Sequence, residues 1–294
     1  MAYELTNKLV IGVSSRALFD LETENAIYET EGLEAYSKYQ IQHEDDILKP
    51  GTAFPLVKAL QKLSDLTEII IMSKNSADTS LRVFNSIKHY GLDITRAALV
   101  GGNSISPYLE AFKTDLFLSA NEEDVQEAIN AGIAAGIICD HSQLPLNPEE
   151  DMGQIRIAFD GDAVIFSDES ERIYQQQGLD AFEKHEYENA RNPLPAGPFA
   201  KLLKTISIIQ TQFPADQMPI RTALVTARSA PSHERVVRTL RAWNVRIDEA
   251  FFLGGIEKCD VLKSFGANIF FDDQSKHTDP ASRKVPSARV PYKQ

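Results

Sequence analysis

The stretch Gln154-Ile-Arg-Ile-Ala-Phe-Asp-Gly-Asp-Ala-Val164 holds the pattern on which the fold depends. An apolar run ends at Phe159 and is followed at once by two carboxylates, Asp160 and Asp162, with one glycine between them. A short β-branched and aromatic run that stops at turn residues predicts a buried strand. Carboxylates placed directly after such a strand lie where α/β proteins bind their ligands.

Strand and helix patterns alternate through the rest of this half of the chain. Three further strand-like runs are Thr222–Val225, Glu249–Leu253 and Asn268–Phe271. Apolar residues recur at helical spacing in Phe199–Gln212, Pro231–Trp243 and Cys259–Phe265. Short buried strands with helices between them are typical of a doubly wound parallel sheet. We therefore predict an α/β fold.

The same pattern occurs earlier in the chain. A shift of 146 positions aligns residues 11–39 with residues 157–185 without a gap, and further along the shift becomes 153. The matches include Gly32 with Gly178 and Gly101-Gly102 with Gly254-Gly255. A repeat of this length predicts two similar halves in tandem. We place them at residues 1–140 and 154–294, joined by a linker at 141–153 that contains two prolines and an acid cluster.

Polar residues follow all four predicted strands of the second half. They are Asp160 and Asp162 after the first strand, Thr226 and Arg228 after the second, Lys258 after the third, and Asp272 and Asp273 after the fourth. Because the carboxyl ends of parallel strands meet at one edge of a sheet, we expect these side chains to converge.

These residue types suit phosphoryl transfer. Asp160 could attack phosphorus, and Asp162 could protonate the leaving oxygen and then activate a water molecule. Several acids in one cleft repel one another unless a hard cation lies among them, and an incomplete shell of oxygen ligands suits Mg²⁺. Thr226 and Lys258 could bind the phosphoryl oxygens. Arg228 has two open interpretations, a phosphate contact or a structural ion pair.

The four motifs, in this order, resemble those of the haloacid-dehalogenase superfamily of phosphohydrolases. Longer strings are similar to the cytosolic 5′-nucleotidase type I family, and these are residues 156–171, 220–230, 270–274 and the closing Val290-Pro-Tyr292. The resemblance covers essentially the whole second half and, more loosely, the first.

The resemblance implies Mg²⁺-dependent hydrolysis of nucleoside 5′-monophosphates, AMP foremost, through an aspartyl-phosphate. By motif, Asp160 is the nucleophile, and Asp162 is the acid/base and gives the metal a backbone carbonyl. Thr226 and Lys258 bind phosphate. Asp272 or Asp273 completes the metal site, and the sequence leaves open which of them does so.

The first half lacks these charged groups. Aligned with Asp160, Asp162, Thr226, Lys258 and Asp272-Asp273 are Ser14, Arg16, Ser73, Ile105 and Ser119-Ala120. We therefore expect residues 1–140 to form a catalytically inactive copy. Two interpretations stay open for it, a scaffold or a regulatory nucleotide site in which Ser14, Arg16 and Ser73 donate to an anion.

Between Asp162 and Thr226 lie 63 residues, more than one helical crossover needs. The excess, about residues 167–198, predicts a small helical cap over the cleft. Its Tyr174, Phe182, His185 and Tyr187 are candidates for contacting a base, although Tyr174 and Phe182 align with aromatic residues of the inactive copy and so fit packing as well.

The composition narrows the classes of function. A net charge of −12 argues against a nucleic-acid binder, and the longest small-apolar stretch, Ala131–Cys139, is too short to cross a bilayer. Two isolated cysteines and an N-terminus unlike a signal peptide favour a cytoplasmic protein, with the oligomeric state open.

Two alternatives to a nucleotidase remain. One is a phosphatase for another small phosphomonoester, such as a sugar phosphate. The other is a nucleotide-sensing binding protein with incidental hydrolysis, although a pure binder has no need of the acid/base carboxylate of Asp162.

Overall fold

The computed structural model describes residues 4–5, 7–140, 143–144, 146–149 and 153–293. Part of the predicted linker at 141–153 lies outside these residues. No helix of the described chain is long and apolar enough to cross a membrane.

The described chain forms one ten-stranded sheet. Its strands are β1 (Leu9–Val13), β2 (Thr67–Ser73), β3 (Arg96–Leu99), β4 (Leu116–Ser119), β5 (Ala134–Ile138), β6 (Ile155–Phe159), β7 (Ile220–Thr226), β8 (Glu249–Phe252), β9 (Ile269–Asp272) and β10 (Ser287–Arg289). Their spatial order is β3-β2-β1-β4-β5-β10-β9-β6-β7-β8, and every neighbouring pair except β5 and β10 is parallel.

Helices connect the strands. They are α1 (Ser15–Leu18), α2 (Glu22–Glu31), α3 (Leu33–Gln42), α4 (Phe54–Leu60), α5 (Leu81–His89), α6 (Ser106–Ala111), α7 (Glu122–Asn130), α8 (Glu169–Gln177), α9 (Leu179–Glu188), α10 (Ala200–Gln210), α11 (His233–Ala242), α12 (Cys259–Phe265) and α13 (Ser275–Ser282). The predicted strands and helices of the second half are all present, with ends displaced by at most two residues.

The strand order confirms the predicted doubly wound α/β fold. The spatial order of the strands, counted outward from the middle of the sheet, is the same in the two halves. By this order β1 corresponds to β6 and β5 to β10. Side-chain contacts repeat as well. Arg82 Nε donates to the carbonyl of Asp46 at 2.8 Å, and Arg235 Nε donates to the carbonyl of Asn192 at 2.9 Å.

The two halves meet where β5 and β10 pair antiparallel, which we call the seam. The residues paired across it are Ile138 with Ala288 and Ile137 with Arg289. The register of the flanking pairs puts Ser119, Ile137, Arg289 and Asp272 in one row across the sheet. The carboxyl ends of the two sets of strands therefore meet at the seam from opposite directions.

The strands are apolar along their length because helices cover the sheet. Aromatic rings fill the core of the second half under the predicted site. Phe271 stacks on Phe159 with ring centroids 5.7 Å apart and packs against Phe199 at 4.7 Å. These fully buried rings make a rigid base for the residues that follow β6 and β9.

A pair of short helices follows the first strand of each half. Helices α2 and α3 are separated by Gly32, and α8 and α9 by Gly178, with φ of 87° and 82°, which favour glycine. Tyr28 and Tyr36 pack edge to face, as do Tyr174 and Phe182. Helices α8 and α9 occupy the range predicted for a cap, and we call them the second-half hairpin.

Candidate functional site

The turn after β6 carries Asp160 and Asp162. The Asp160 backbone N–H donates to the carbonyl of Phe271 at 2.8 Å, which ties the end of β6 to β9. Residues 161–165 then form a single wide turn that Phe166 N–H closes on the carbonyl of Gly161 at 2.9 Å. Ala163 within it has φ of 60°, which residues other than glycine rarely adopt. Asp160 is buried, and Asp162 is partly exposed.

The first half closes its equivalent turn more tightly. There Phe19 N–H donates to the carbonyl of Ser15, as in an ordinary α-helix. In each half an isolated β-bridge ends this turn, at Phe19 in the first half and at Phe166 in the second. The bridge lies six positions after the last strand residue, Val13, in the first half. It lies seven positions after Phe159 in the second half. The second half therefore has one extra residue in the turn that carries its acid pair.

Lys258 lies between two of the acids. Its Nζ donates to Asp160 Oδ1 at 2.5 Å and to Asp272 Oδ2 at 2.6 Å, and all three side chains are buried. Lys258 reaches this position at the start of α12, after a turn in which Gly254 and Gly255 have φ of 57° and 91°. The buried lysine partly neutralises the carboxylates that the strand ends bring together.

Asp272 and Asp273 differ in what their oxygens contact. Asp272 Oδ2 accepts from Lys258, and its Oδ1 accepts from the Gln274 backbone N–H at 2.9 Å. Asp273 Oδ2 accepts from the Tyr292 hydroxyl at 2.5 Å, while its Oδ1 is buried and has no hydrogen-bond partner. Burying a carboxylate oxygen without a hydrogen-bond partner costs free energy unless an ion or a water molecule contacts it.

Asp160, Asp272 and Asp273 can each place an oxygen within 4.8 Å of the others. Among the described residues this is the one group of three or more acid, histidine or cysteine side chains with the spacing of a metal site. The donor set is all oxygen, which suits a hard cation such as Mg²⁺. The unpartnered Asp273 Oδ1 fits the same interpretation.

The electrostatics of the cluster favour a cation. Burial raises the pKa of Asp160 to about 6, against the opposing effect of Lys258. Burial, together with the charges of Asp160 and Asp272, raises the pKa of Asp273 to about 8. Burial alone would lower the pKa of Lys258, but Asp160 and Asp272 outweigh it and raise that pKa. The acids are crowded, and one lysine does not fully balance them.

Thr226 and Arg228 follow β7, beside the acid turn. A Cβ on Gly161 would lie 3.5 Å from Thr226 Oγ1, so this buried hydroxyl faces the backbone between Asp160 and Asp162. Thr226 Oγ1 also accepts from the Arg228 backbone N–H at 3.2 Å. The side chain of Arg228 turns toward Asp162, to which it donates twice, at 2.8 and 2.6 Å.

Arg228 connects Asp162 to the second-half hairpin. Its guanidinium pairs with the fully buried carboxylate of Glu186 on α9 and lies 5.2 Å from the ring centroid of Phe182. Arg235 of α11 pairs with the same Glu186 at 2.9 Å. Burial would lower the pKa of Arg228, but Asp162 and Glu186 raise it above its ordinary value.

Sequence reasoning missed Glu186 and Tyr292 as parts of this site. Glu186 stands in a Glu-rich hairpin where nothing marks one acid as buried, whereas the string Val290-Pro-Tyr292 already carried a family resemblance without a role. Of the aromatic cap candidates, Phe182 packs under Arg228, and Tyr174 and Tyr187 are exposed. His185 bonds to Glu169 at 3.1 Å.

The equivalent positions of the first half hold a different set of contacts. Ser14 caps α1 by accepting from the Ala17 backbone N–H, and Arg16 pairs with Glu22 at 2.7 Å on the surface. Ile105 is buried where the second half has Lys258. Ser73 and Ser119 each accept from the backbone N–H two residues further on.

Comparison with known proteins identifies the family of the chain. A family model described as 5′-nucleotidase matches residues 1–294. Human “Cytosolic 5'-nucleotidase 1B” is 43% identical over 297 residues, an alignment that covers 94% of this chain and 48% of that protein. The chain therefore spans about half the length of this curated relative.

A solved structure titled “Structure of Pnkp1/Rnl/Hen1 complex” aligns with 99% of this chain and 98% of its own at 12% identity and a TM-score of 0.31. At that TM-score the likeness supports no conclusion about fold or function.

Proposed function

Because the chain belongs to the 5′-nucleotidase family, we propose that it is a Mg²⁺-dependent phosphomonoesterase that hydrolyses nucleoside 5′-monophosphates, AMP foremost, to nucleoside and phosphate. The observation that carries the proposal is the buried cluster in which Lys258 bridges Asp160 and Asp272 beside the unpartnered Asp273. A structural ion pair has no need of a third, uncompensated carboxylate.

In the first step, a carboxylate oxygen of Asp160 attacks phosphorus, and the bond from phosphorus to the nucleoside oxygen breaks. The carboxylic acid of Asp162 gives its proton to that oxygen as it leaves. Lys258, and Thr226 through its hydroxyl, donate to the phosphoryl oxygens. Arg228 adds positive charge on the side of Asp162.

In the second step, Asp162 takes a proton from water as the water attacks the phosphorus of the aspartyl-phosphate. The bond from phosphorus to Asp160 breaks, inorganic phosphate leaves, and the carboxylate is restored. The bidentate contact from Arg228 holds the carboxylate of Asp162 in one orientation for accepting this proton.

Asp160 and Asp273 would hold the Mg²⁺, together with the backbone carbonyl of Asp162. We assign Asp273 in preference to Asp272 because both oxygens of Asp272 already accept hydrogen bonds, from Lys258 and Gln274. When bound, the cation offsets the negative charge on the phosphoryl group and lets it approach a cluster of acids.

The second-half hairpin is the proposed cap that encloses the nucleoside. It touches both sides of the site, since Glu186 pairs with Arg228 and Glu171 accepts from Gln274 Nε2 at 3.4 Å. Its exposed rings, Tyr174 and Tyr187, are available to a base.

The direct test is phosphate release from a panel of monophosphates, with Mg²⁺ and with a chelator. We expect release from AMP that requires Mg²⁺ and falls at least about a thousandfold in Asp160→Asn, which removes the nucleophile while keeping its shape. Faster turnover of sugar phosphates than of AMP or IMP would reject the nucleotide assignment in favour of another small phosphomonoester. Full activity in Asp162→Asn would instead support a sensing protein with incidental hydrolysis.

Two finer points belong to the same proposal. The first half acts as an inactive scaffold, and because Arg16 is already paired with Glu22, a regulatory nucleotide there is the weaker alternative. Titration of Asp160→Asn with nucleotide separates the two interpretations, since one binding event per chain would rule out the regulatory site.

The name of the human relative supports a cytosolic location.

A further inference from the structure

The end of the chain runs back to the acid cluster. Beyond β10, the Val290 backbone N–H donates to the carbonyl of Asp272 at 2.9 Å, and Val290 and Pro291 are buried. Tyr292 follows, with its side chain 41% exposed and its hydroxyl 2.5 Å from Asp273 Oδ2. We call residues 290–292 the tail.

The first half holds this tail from the other side of the seam. Gln126 on α7 donates from Nε2 to the Tyr292 carbonyl at 2.9 Å. One turn earlier on the same helix, Glu122 pairs with Arg289 at 2.6 Å. The row that joins Ser119 to Asp272 across the sheet explains this proximity, because it brings α7 level with the strand ends of the second half.

The hydroxyl of Tyr292 determines how Asp273 can rotate. Asp273 lies next to two other buried carboxylates, and without a partner it would gain by turning away from them. The bond from Tyr292 occupies Oδ2, so Oδ1 stays buried and free of protein donors. A partner behind a metal-binding carboxylate fixes its orientation and raises metal affinity.

We infer that Tyr292 is a positioning residue for the cation site, and that the first half takes part in this site by holding the tail through Gln126. The inference deepens the proposed function and rests on it, since it takes Asp273 to be a cation ligand. It gives the first half a task that needs none of the missing catalytic groups.

The test is binding of Mn²⁺, a spectroscopic substitute for Mg²⁺, measured by electron paramagnetic resonance on the 294-residue chain. We expect Tyr292→Phe to weaken Mn²⁺ binding about tenfold, as is usual when a partner of a metal ligand is lost. Gln126→Ala should weaken it by about threefold, because an exposed neutral hydrogen bond contributes less. Tyr108→Phe on α6, at a residue that is 44% exposed, is the matched control and should bind as the wild type does.

Activity gives a second measurement that separates positioning from folding. In Tyr292→Phe the Mg²⁺ concentration for half-maximal phosphate release should rise about tenfold, while kcat at saturating Mg²⁺ stays within about twofold of the wild type. A fall in kcat at every Mg²⁺ concentration, or Mn²⁺ affinity within twofold of the wild type, overturns the positioning role and leaves the proposed function standing. A wild-type chain that binds no Mn²⁺ overturns the cation site itself.

Discussion

The two halves share their local hydrogen bonds and differ in their charges. At the end of the second strand of each half, Ser73 and Thr226 accept from the backbone N–H two residues on, each at 3.2 Å. At the end of the fourth strand, Ser119 and Asp272 do the same, at 3.1 and 2.9 Å. An oxygen is therefore needed at these positions to form the turn, whichever residue supplies it.

The charges follow a different rule. Lys258 and its two carboxylates in the second half are replaced in the first by the buried Ile105 and by Ser14 and Ser119, which are also buried. The same fold can therefore hold either a charged or an uncharged cluster at these equivalent positions. The comparison separates residues that build the turn from residues to which we assign the proposed chemistry.

Behind the strand ends the difference extends to a second layer. In the second half, Arg228 bridges Asp162 and Glu186. In the first half, Asn75 aligns with Arg228 and Gln40 with Glu186, and both bond to the hydroxyl of Tyr36. At these aligned positions the second half has ion pairs and the first half has neutral hydrogen bonds. The first half has a buried ion pair elsewhere, between Glu24 of α2 and Arg82 of α5.

The largest effect should come from placing the same apolar residue at the equivalent positions 258 and 105. Lys258→Met leaves Asp160 and Asp272 buried without the lysine ammonium between them, and it removes the proposed donor to phosphate. We expect phosphate release to fall at least about a hundredfold and the free energy of unfolding by about 3 kcal/mol. Steady-state kinetics and urea unfolding measure the two effects.

Ile105→Met is the matched control, because it exchanges one apolar side chain for another of similar volume. It should cost less than about 1.5 kcal/mol and leave activity within twofold. If Ile105→Met lowered phosphate release as much as Lys258→Met does, the division into an active and an inactive half would be wrong.

A smaller effect is expected in the second layer. Glu186→Gln gives the second half the residue that the first half has at position 40, and it removes a carboxylate shared by Arg228 and Arg235. We expect a loss of about 2 kcal/mol in unfolding free energy, together with lower activity because Arg228 no longer fixes Asp162 as firmly.

Gln40→Met breaks the neutral bond to Tyr36 and also removes Gln40 Oε1, which is buried without a partner. It should therefore cost less than about 1 kcal/mol, with no change in activity. The comparison of ionic and neutral contacts at positions 186 and 40 fails if urea unfolding finds equal losses in the two variants.

The smallest effect should follow Ser14→Ala, at the position that aligns with the proposed nucleophile Asp160. The substitution removes the cap of α1, so the melting temperature should fall by an amount equivalent to about 1 kcal/mol. Phosphate release should be unchanged. A fivefold or larger loss of activity would contradict the assignment of Ser14 to structure alone.

Much of the fold can be predicted from the sequence because each half repeats one pattern of short apolar strands and amphipathic helices. The seam cannot, since β10 is the three-residue run Ser287-Ala-Arg289, in which Ala288 is the one apolar residue. Its strand conformation comes from pairing with β9 and β5, a tertiary effect.

The site, like the fold, can be predicted from the sequence only in part. Strand order predicts that Asp160, Lys258 and Asp272 approach one another, and they lie within hydrogen-bonding distance, while their chemical roles stay predictions. The part played by Tyr292 depends on a tail that returns across the seam. Contacts between residues so far apart in the chain, such as Gln126 and Tyr292, leave no local pattern to detect.

The seam has the symmetry of a two-fold dimer interface, since equivalent strands of the two halves pair antiparallel about a common point. In a dimer of identical subunits, every substitution appears twice, so the loss of one acid would disable both sites together. Joining the two copies in one chain removes that coupling and makes their association independent of protein concentration. One copy is then free to change its sequence, provided that it still presents β5 to its neighbour.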